Sequence, residues 1–140
     1  VPAIFSTRDE LELAALTAAR FGRPLAVHLR SESDELEAAL REMLELAEKT
    51  GVHLHLSHLK AIGFKNRPQL DAVLAMVDRA GIGFDHYPYP WGSTSLLSLI
   101  PPHMMRDGVT HLLERLGDPS VQNELEGGWS GGRALEQGAP

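Results

Sequence analysis

Cysteine is absent from the 140 residues. No disulfide framework and no thiolate ligand for a metal can come from this chain, and a cytoplasmic location is the expectation. Long hydrophobic runs are also missing, since no stretch of about 18 apolar residues occurs, so no membrane partner is expected. The opening VPAIFSTRDE lacks the charged-then-apolar pattern of a signal peptide. It lacks a starting Met too, which suggests that the chain begins inside something longer. Positive charge is scarce and scattered: 13 Lys and Arg against 19 Asp and Glu leave a formal charge of −6, the wrong balance for a nucleic-acid partner. What remains is 43% apolar and 23% charged, ordinary for a soluble domain with a single core.

Helical and strand patterns alternate with a period of about 30 residues, the signature of repeated βα units. Thr7 and Glu10 form a capping-box pattern ahead of Leu11, Ala14, Leu16 and Ala18, and Gly22 follows, so a helix is predicted over 7–21. Pro24 to Arg30 reads as a buried parallel strand with a polar tip. Ser31 to Asp34 should cap a helix whose stripe is Leu36, Leu40, Met43, Leu44 and Ala47 and which Gly51 ends. A second strand spans Val52 to Ser57. Asn66 and Pro68 start a third helix with Leu70, Val73, Leu74 and Val77 inward and Gly81 at its end. Ile82 to His86 is the third strand, and Tyr87-Pro88-Tyr89-Pro90-Trp91-Gly92-Ser93-Thr94-Ser95 is a shaped loop at its C-terminal end, where parallel α/β folds bind ligands. A helix over 103–116 and a short one from Asp118 follow. Residues 126–140, EGGWSGGRALEQGAP, read as a Gly-rich tail, disordered or foreign, beyond one domain over 1–125.

Each strand ends in a histidine: His28, His58 and His86. Neutral imidazole is a common transition-metal ligand, and successive strand tips can bring imidazoles together. A lone histidine is more often structural, but His28 and His58 recur one full unit apart. Within HLHLSHLK, strand parity sets His53, His55 and Ser57 against His58 and Lys60. His53 and His55 are therefore expected to face the helical layer or solvent. His86 and Tyr87 have opposite parity, so both cannot enter one pocket if the strand stays regular. Arg30 and Lys60 follow the favoured histidines by two residues. They would suit an anionic substrate group, or a structural ion pair with Glu32, Asp34 or Asp85.

LAVHLRSES, HLSHLKAIG and DHYPYPWGSTSLLSLIPP, in this order and spacing, resemble the N-acyl-D-amino-acid deacylases (D-aminoacylases) of the metal-dependent amidohydrolase superfamily, over about residues 5 to 125. The resemblance implies an α/β fold, here some three parallel strands with flanking helices out of an eight-stranded β/α barrel of the TIM type. It implies zinc as cofactor, with His28 and His58 as metal ligands and Arg30, Lys60, Tyr87 and Ser93 as substrate-binding residues. The implied reaction is hydrolysis of an N-acyl-D-amino acid by metal-activated water, with an aspartate as general base.

The departures are equally specific. The family's early His-x-His motif, its cysteine ligand and its late catalytic aspartate have no counterpart here, and His53-Leu54-His55 occupies the wrong strand to replace the first. The general base is thus expected outside this chain, which alone should be inactive and should self-associate through exposed sheet edges. The alternative is a non-catalytic truncated barrel with a binding or assembly role.

Overall fold

The computed structural model describes residues 5–89, 92–95, 97, 100–105 and 107–130. Two compact units divide between Pro88 and Tyr89. Three helix-then-strand repeats make up the first. Helix α1 (Arg8–Arg20) starts from the expected capping box: the Thr7 hydroxyl accepts from the Glu10 N–H at 3.3 Å, and Glu10 Oε2 accepts from the Thr7 N–H at 2.7 Å. Those Thr7 bonds, backbone first, hold the Glu10 carboxyl below its ordinary range. Strand β1 (Leu25–Val27) precedes helix α2 (Leu36–Thr50), β2 (Leu54–Leu56) precedes α3 (Gln69–Ala80), and β3 (Gly83–Phe84) completes the sheet.

Helices α2 and α3 stop where the sequence places their glycines. Gly51 and Gly81 adopt φ of 69° and 64°, the left-handed region that side chains resist. Space is not the reason, since a Cβ on either would meet nothing within 4 Å. The predicted stripe of α2 is largely found, with Leu36, Leu40 and Met43 buried and Leu44 and Ala47 half-buried, and Ala39 and Leu46 join it. On α3 the expectation needs correcting at Leu74, which is exposed. Val73 and Val77 are buried, and Met76 packs beside them.

The sheet is parallel in the order β1-β2-β3, with Leu25 opposite Leu54, Ala26 opposite His55 and His55 opposite Gly83. Leu54 and Leu56 are buried with the α2 and α3 stripes in one core. Side chains alternate along a strand, so His55 stands on the other face, in a row with Ala26 and Gly83. Of the two faces weighed for it, the helical layer is excluded. All three strands are shorter than their apolar runs suggest, because regular pairing stops before each polar tip.

In the second unit Met104, Leu112, Val121 and Leu125 are buried together. The single helix expected over 103–116 is two pieces, a 3-10 turn at Pro102–Met105 and helix α4 (Val109–Arg115). Gly108, at φ 93°, breaks the path between them. Helix α5 (Pro119–Ser130) opens with Asp118 Oδ1 accepting from the Ser120 N–H at 2.8 Å and runs into the Gly-rich segment as far as Ser130. Residues 131–140 of that segment lie outside the described residues. Among the described residues no helix is long and apolar enough to cross a membrane.

Candidate metal centre

Parallel pairing of β1 and β2 sets their tips side by side, and the two favoured histidines meet there. His28 Nδ1 contacts His58 Nε2, and the rings stack with centroids 4.4 Å apart. Two imidazole lone pairs cannot face each other without repulsion, so in this contact one nitrogen carries the proton that the other accepts. Two such nitrogens at neighbouring strand tips are the donor type of a partial metal site.

His58 does not reach this position by strand parity. Strand β2 ends at Leu56, and His58 has a φ of 43°, the one non-glycine residue with positive φ among those described. Such a conformation is unfavourable for a residue with a side chain unless its surroundings hold it. Its neighbours hold it on two sides. The His58 N–H donates to Asp85 Oδ1 at 2.7 Å, and on the ring side Nδ1 lies 2.7 Å from Glu32 Oε1. Lys60 Nζ lies 2.8 Å from the same Nδ1, so an acceptor and a donor both meet that nitrogen, and Nε2 is the atom that faces His28.

Glu32 comes from the loop after β1, which the Ser31 hydroxyl shapes by accepting from the Ser33 and Glu35 N–H groups, both at 3.3 Å. Its other oxygen takes Lys60 Nζ at 2.5 Å, and Lys60 also donates to the His58 carbonyl at 3.1 Å. Side-chain exposures of 14% for Glu32 and 19% for Lys60 put this pair in a partly desolvated setting where charges need each other. Of the two readings of Lys60, the ion pair with Glu32 is present. Arg30 is paired too, with a partner the sequence reading did not name: Nε and one terminal nitrogen grip Glu42 of α2 at 2.7 and 2.9 Å. The same side chain reaches the Ser6 carbonyl at 3.3 Å.

Tyr87 is half-buried, with Lys60 Nζ 5.7 Å from its ring centroid and the His86 ring stacked at 5.4 Å. His86 Nδ1 lies 2.9 Å from the Leu59 carbonyl, a bond to the chain rather than to a ligand. Ser93 is exposed and belongs to the second unit. Among the described residues no group of three His, Cys, Asp or Glu side chains is placed to hold a metal ion.

Sequence reasoning missed Asp85 as more than one possible ion-pair partner for Arg30 and Lys60. Its carboxylate takes the His58 N–H on one oxygen and lies 3.1 Å from His55 Nε2 on the other. The His58 N–H, then the His55 ring, hold its carboxyl below the ordinary range. The available signal was its place immediately before the His86-Tyr87 tip. Nothing in that pattern could reveal that its partners were an amide and a ring one strand away.

No family model matches the chain. Among curated proteins it is 37% identical over 101 residues to N-acyl-D-glutamate deacylase of Alcaligenes xylosoxydans xylosoxydans, covering 69% of this chain and 21% of that protein. The D-aminoacylase of the same organism is 31% identical over 99 residues, covering 68% and 20%. In fold, the chain is similar to the crystal structure of N-acyl-D-glutamate deacylase from Bordetella bronchiseptica complexed with zinc and a phosphonate inhibitor, at a TM-score of 0.59 and 37% identity over 61% of this chain and 19% of that one. A D-aminoacylase structure described as defining a novel subset of amidohydrolases gives a TM-score of 0.62 at 26% identity, covering 66% and 20%. By sequence and by fold, the chain is a relative of the N-acyl-D-amino-acid deacylases of the amidohydrolase superfamily and spans about a fifth of their length.

Proposed function

We propose that this chain supplies two zinc ligands, His28 and His58, to a hydrolase that cleaves the amide bond of N-acyl-D-amino acids. One observation carries the reading: imidazoles 30 residues apart meet at adjacent strand tips, with His58 Nε2 turned toward His28 Nδ1. Zinc, when bound, lowers the pKa of a water and polarises a carbonyl oxygen. The chain's own residues orient what comes to it. Glu32 and Lys60 hold the His58 ring at Nδ1, and Tyr87 offers a hydroxyl to the acyl oxygen. Lys60 and Arg30 would hold the substrate carboxylate, which would have to share them with Glu32 and Glu42.

Two nitrogens make a weak site, because zinc takes three or four ligands. The isolated chain is therefore proposed to be inactive, and its exposed β1 and β3 edges to drive self-association. Sedimentation as a 15.3 kDa monomer at every concentration would remove the second point. The rival reading, a non-catalytic segment with only a binding or assembly role, draws on the lack of a third ligand among the described residues.

A chimera separates the two. Residues 5–125 replace the matching segment of the N-acyl-D-glutamate deacylase relative, and hydrolysis of N-acetyl-D-glutamate is measured. The expected result is turnover that falls by about 1,000-fold or more in the His28→Ala chimera, as loss of a metal-held nucleophile demands. A folded, zinc-loaded chimera without turnover would favour the rival.

A further inference from the structure

We propose that Asp85 is a positioning residue that holds His58 in its left-handed conformation and thereby aims the imidazole at His28, with His55 as its brace. The inference rests on the reading of His58 as a metal ligand and goes beyond it to ask what keeps the ligand in place. A histidine at φ 43° needs bonds that the extended alternative could not make. Asp85 makes three around it. Its N–H donates to the Leu56 carbonyl at 3.0 Å, its carbonyl accepts from the Leu59 N–H at 3.0 Å, and its Oδ1 accepts from the His58 N–H at 2.7 Å. The two main-chain bonds dock the tip of β3 on either side of residues 57 and 58. The carboxylate then satisfies the amide that the left-handed turn takes out of the ladder.

Left alone, an exposed aspartate would have other rotamers available. The second oxygen, 3.1 Å from His55 Nε2, selects one. His55 in turn has a seat: a Cβ on Gly83 would lie 3.1 Å from His55 Nδ1, so the ring occupies the space where a side chain on the neighbouring strand would stand. Gly83, His55, Asp85 and His58 thus form one chain of contacts from the sheet face to the ligand. His55, set aside in the sequence as structural, acquires a role through a carboxylate on the next strand.

The test uses the full chain and two readouts. The first is the metal-free contact between the His28 and His58 rings, followed by NMR; the second is zinc affinity by titration. In Asp85→Ala the ring contact should be lost and zinc should bind about 10- to 100-fold more weakly, the usual cost of removing a group that orients a ligand. Asp85→Asn keeps an oxygen for the His58 N–H and should restore both to near wild type. Gly83→Ala, which crowds His55, should weaken zinc binding less than Asp85→Ala.

A folded Asp85→Ala chain with the ring contact intact would overturn the proposal, as would a folded Asp85→Asn chain that loses it. Should Asp85→Ala not fold, the wild type still decides. A through-bond coupling between the His58 amide nitrogen and the Asp85 carboxyl carbon is expected, and its absence would sink the idea. Failure of the metal reading looks different: zinc would not bind wild type, or would bind His58→Ala equally well, while the ring contact still depended on Asp85.

Discussion

His58→Ala is expected to abolish specific zinc binding, with affinity falling by about 100-fold or more because one of two imidazole nitrogens is gone. His28→Ala should match it, and the double variant should be little worse than either, since two ligands of one ion do not contribute additively. Isothermal titration of the wild-type chain and the three variants at pH 7.5 checks this. Circular dichroism serves as the fold control. His53→Ala is the internal comparison. His53 contributes its carbonyl to the Leu25 N–H at 2.7 Å, a bond that alanine retains, so its zinc affinity should equal that of wild type. Equal binding by His58→Ala and wild type would refute the assignment of the site. Equal losses for His53→Ala and His58→Ala would point to nonspecific surface binding.

Leu56→Ala should cost about 3 kcal/mol of stability, within the range for truncating a fully buried leucine. Leu56 has no exposed surface and sits in the middle strand, between Val27 of β1 and Phe84 of β3. The sheet cannot collapse around the cavity without breaking its register with both neighbours. Against a typical domain stability of about 5–15 kcal/mol this is a large share. For a chain of this size the melting temperature should drop by about 10 °C. Leu74→Ala, at 43% exposure, should cost less than about 1 kcal/mol although Leu74 fits the apolar stripe of α3 in the sequence. Thermal unfolding of both variants by circular dichroism checks the pair, and a Leu74 effect as large as that of Leu56 would contradict the packing described here.

The contrast between Leu56 and Leu74 shows where sequence reading succeeds. Periodicity reports that a residue lies near an apolar face, and for Leu36, Leu40, Val73 and Val77 that was sufficient. It cannot tell the centre of a face from its margin, because that depends on where the neighbouring element ends. The split of the 103–116 helix has a similar origin. Gly108 is visible in the sequence, but a glycine inside a helical pattern is tolerated until its backbone turns to positive φ.

At the candidate metal centre, the type and spacing of the strand-tip residues sufficed to pair His28 with His58. Parallel strands one unit apart bring equivalent tips together whatever their detailed path. The route was different from the one parity suggests: His58 arrives through a left-handed turn after β2 has ended, and Lys60 Nζ meets its ring directly at Nδ1, beside Glu32. Charges were harder to read. Arg30 and Lys60 look like free anion sites in one dimension, yet each meets a carboxylate in three, Glu42 from α2 and Glu32 from the loop after β1.

The sequence by itself determined the βα repeat, the glycine stops of α2 and α3, the two metal-binding candidates and the family relationship, because all of these rest on local periodicity, backbone preference or residue order along the chain. Only the tertiary structure decided which partner each polar side chain takes. Asp85 and His55 are 30 residues apart, and nothing local says that one oxygen of that carboxylate will meet a ring and the other the amide of a strained histidine. Such pairings depend on strand register and on where regular pairing stops, and both are settled by packing of the whole sheet against its helices.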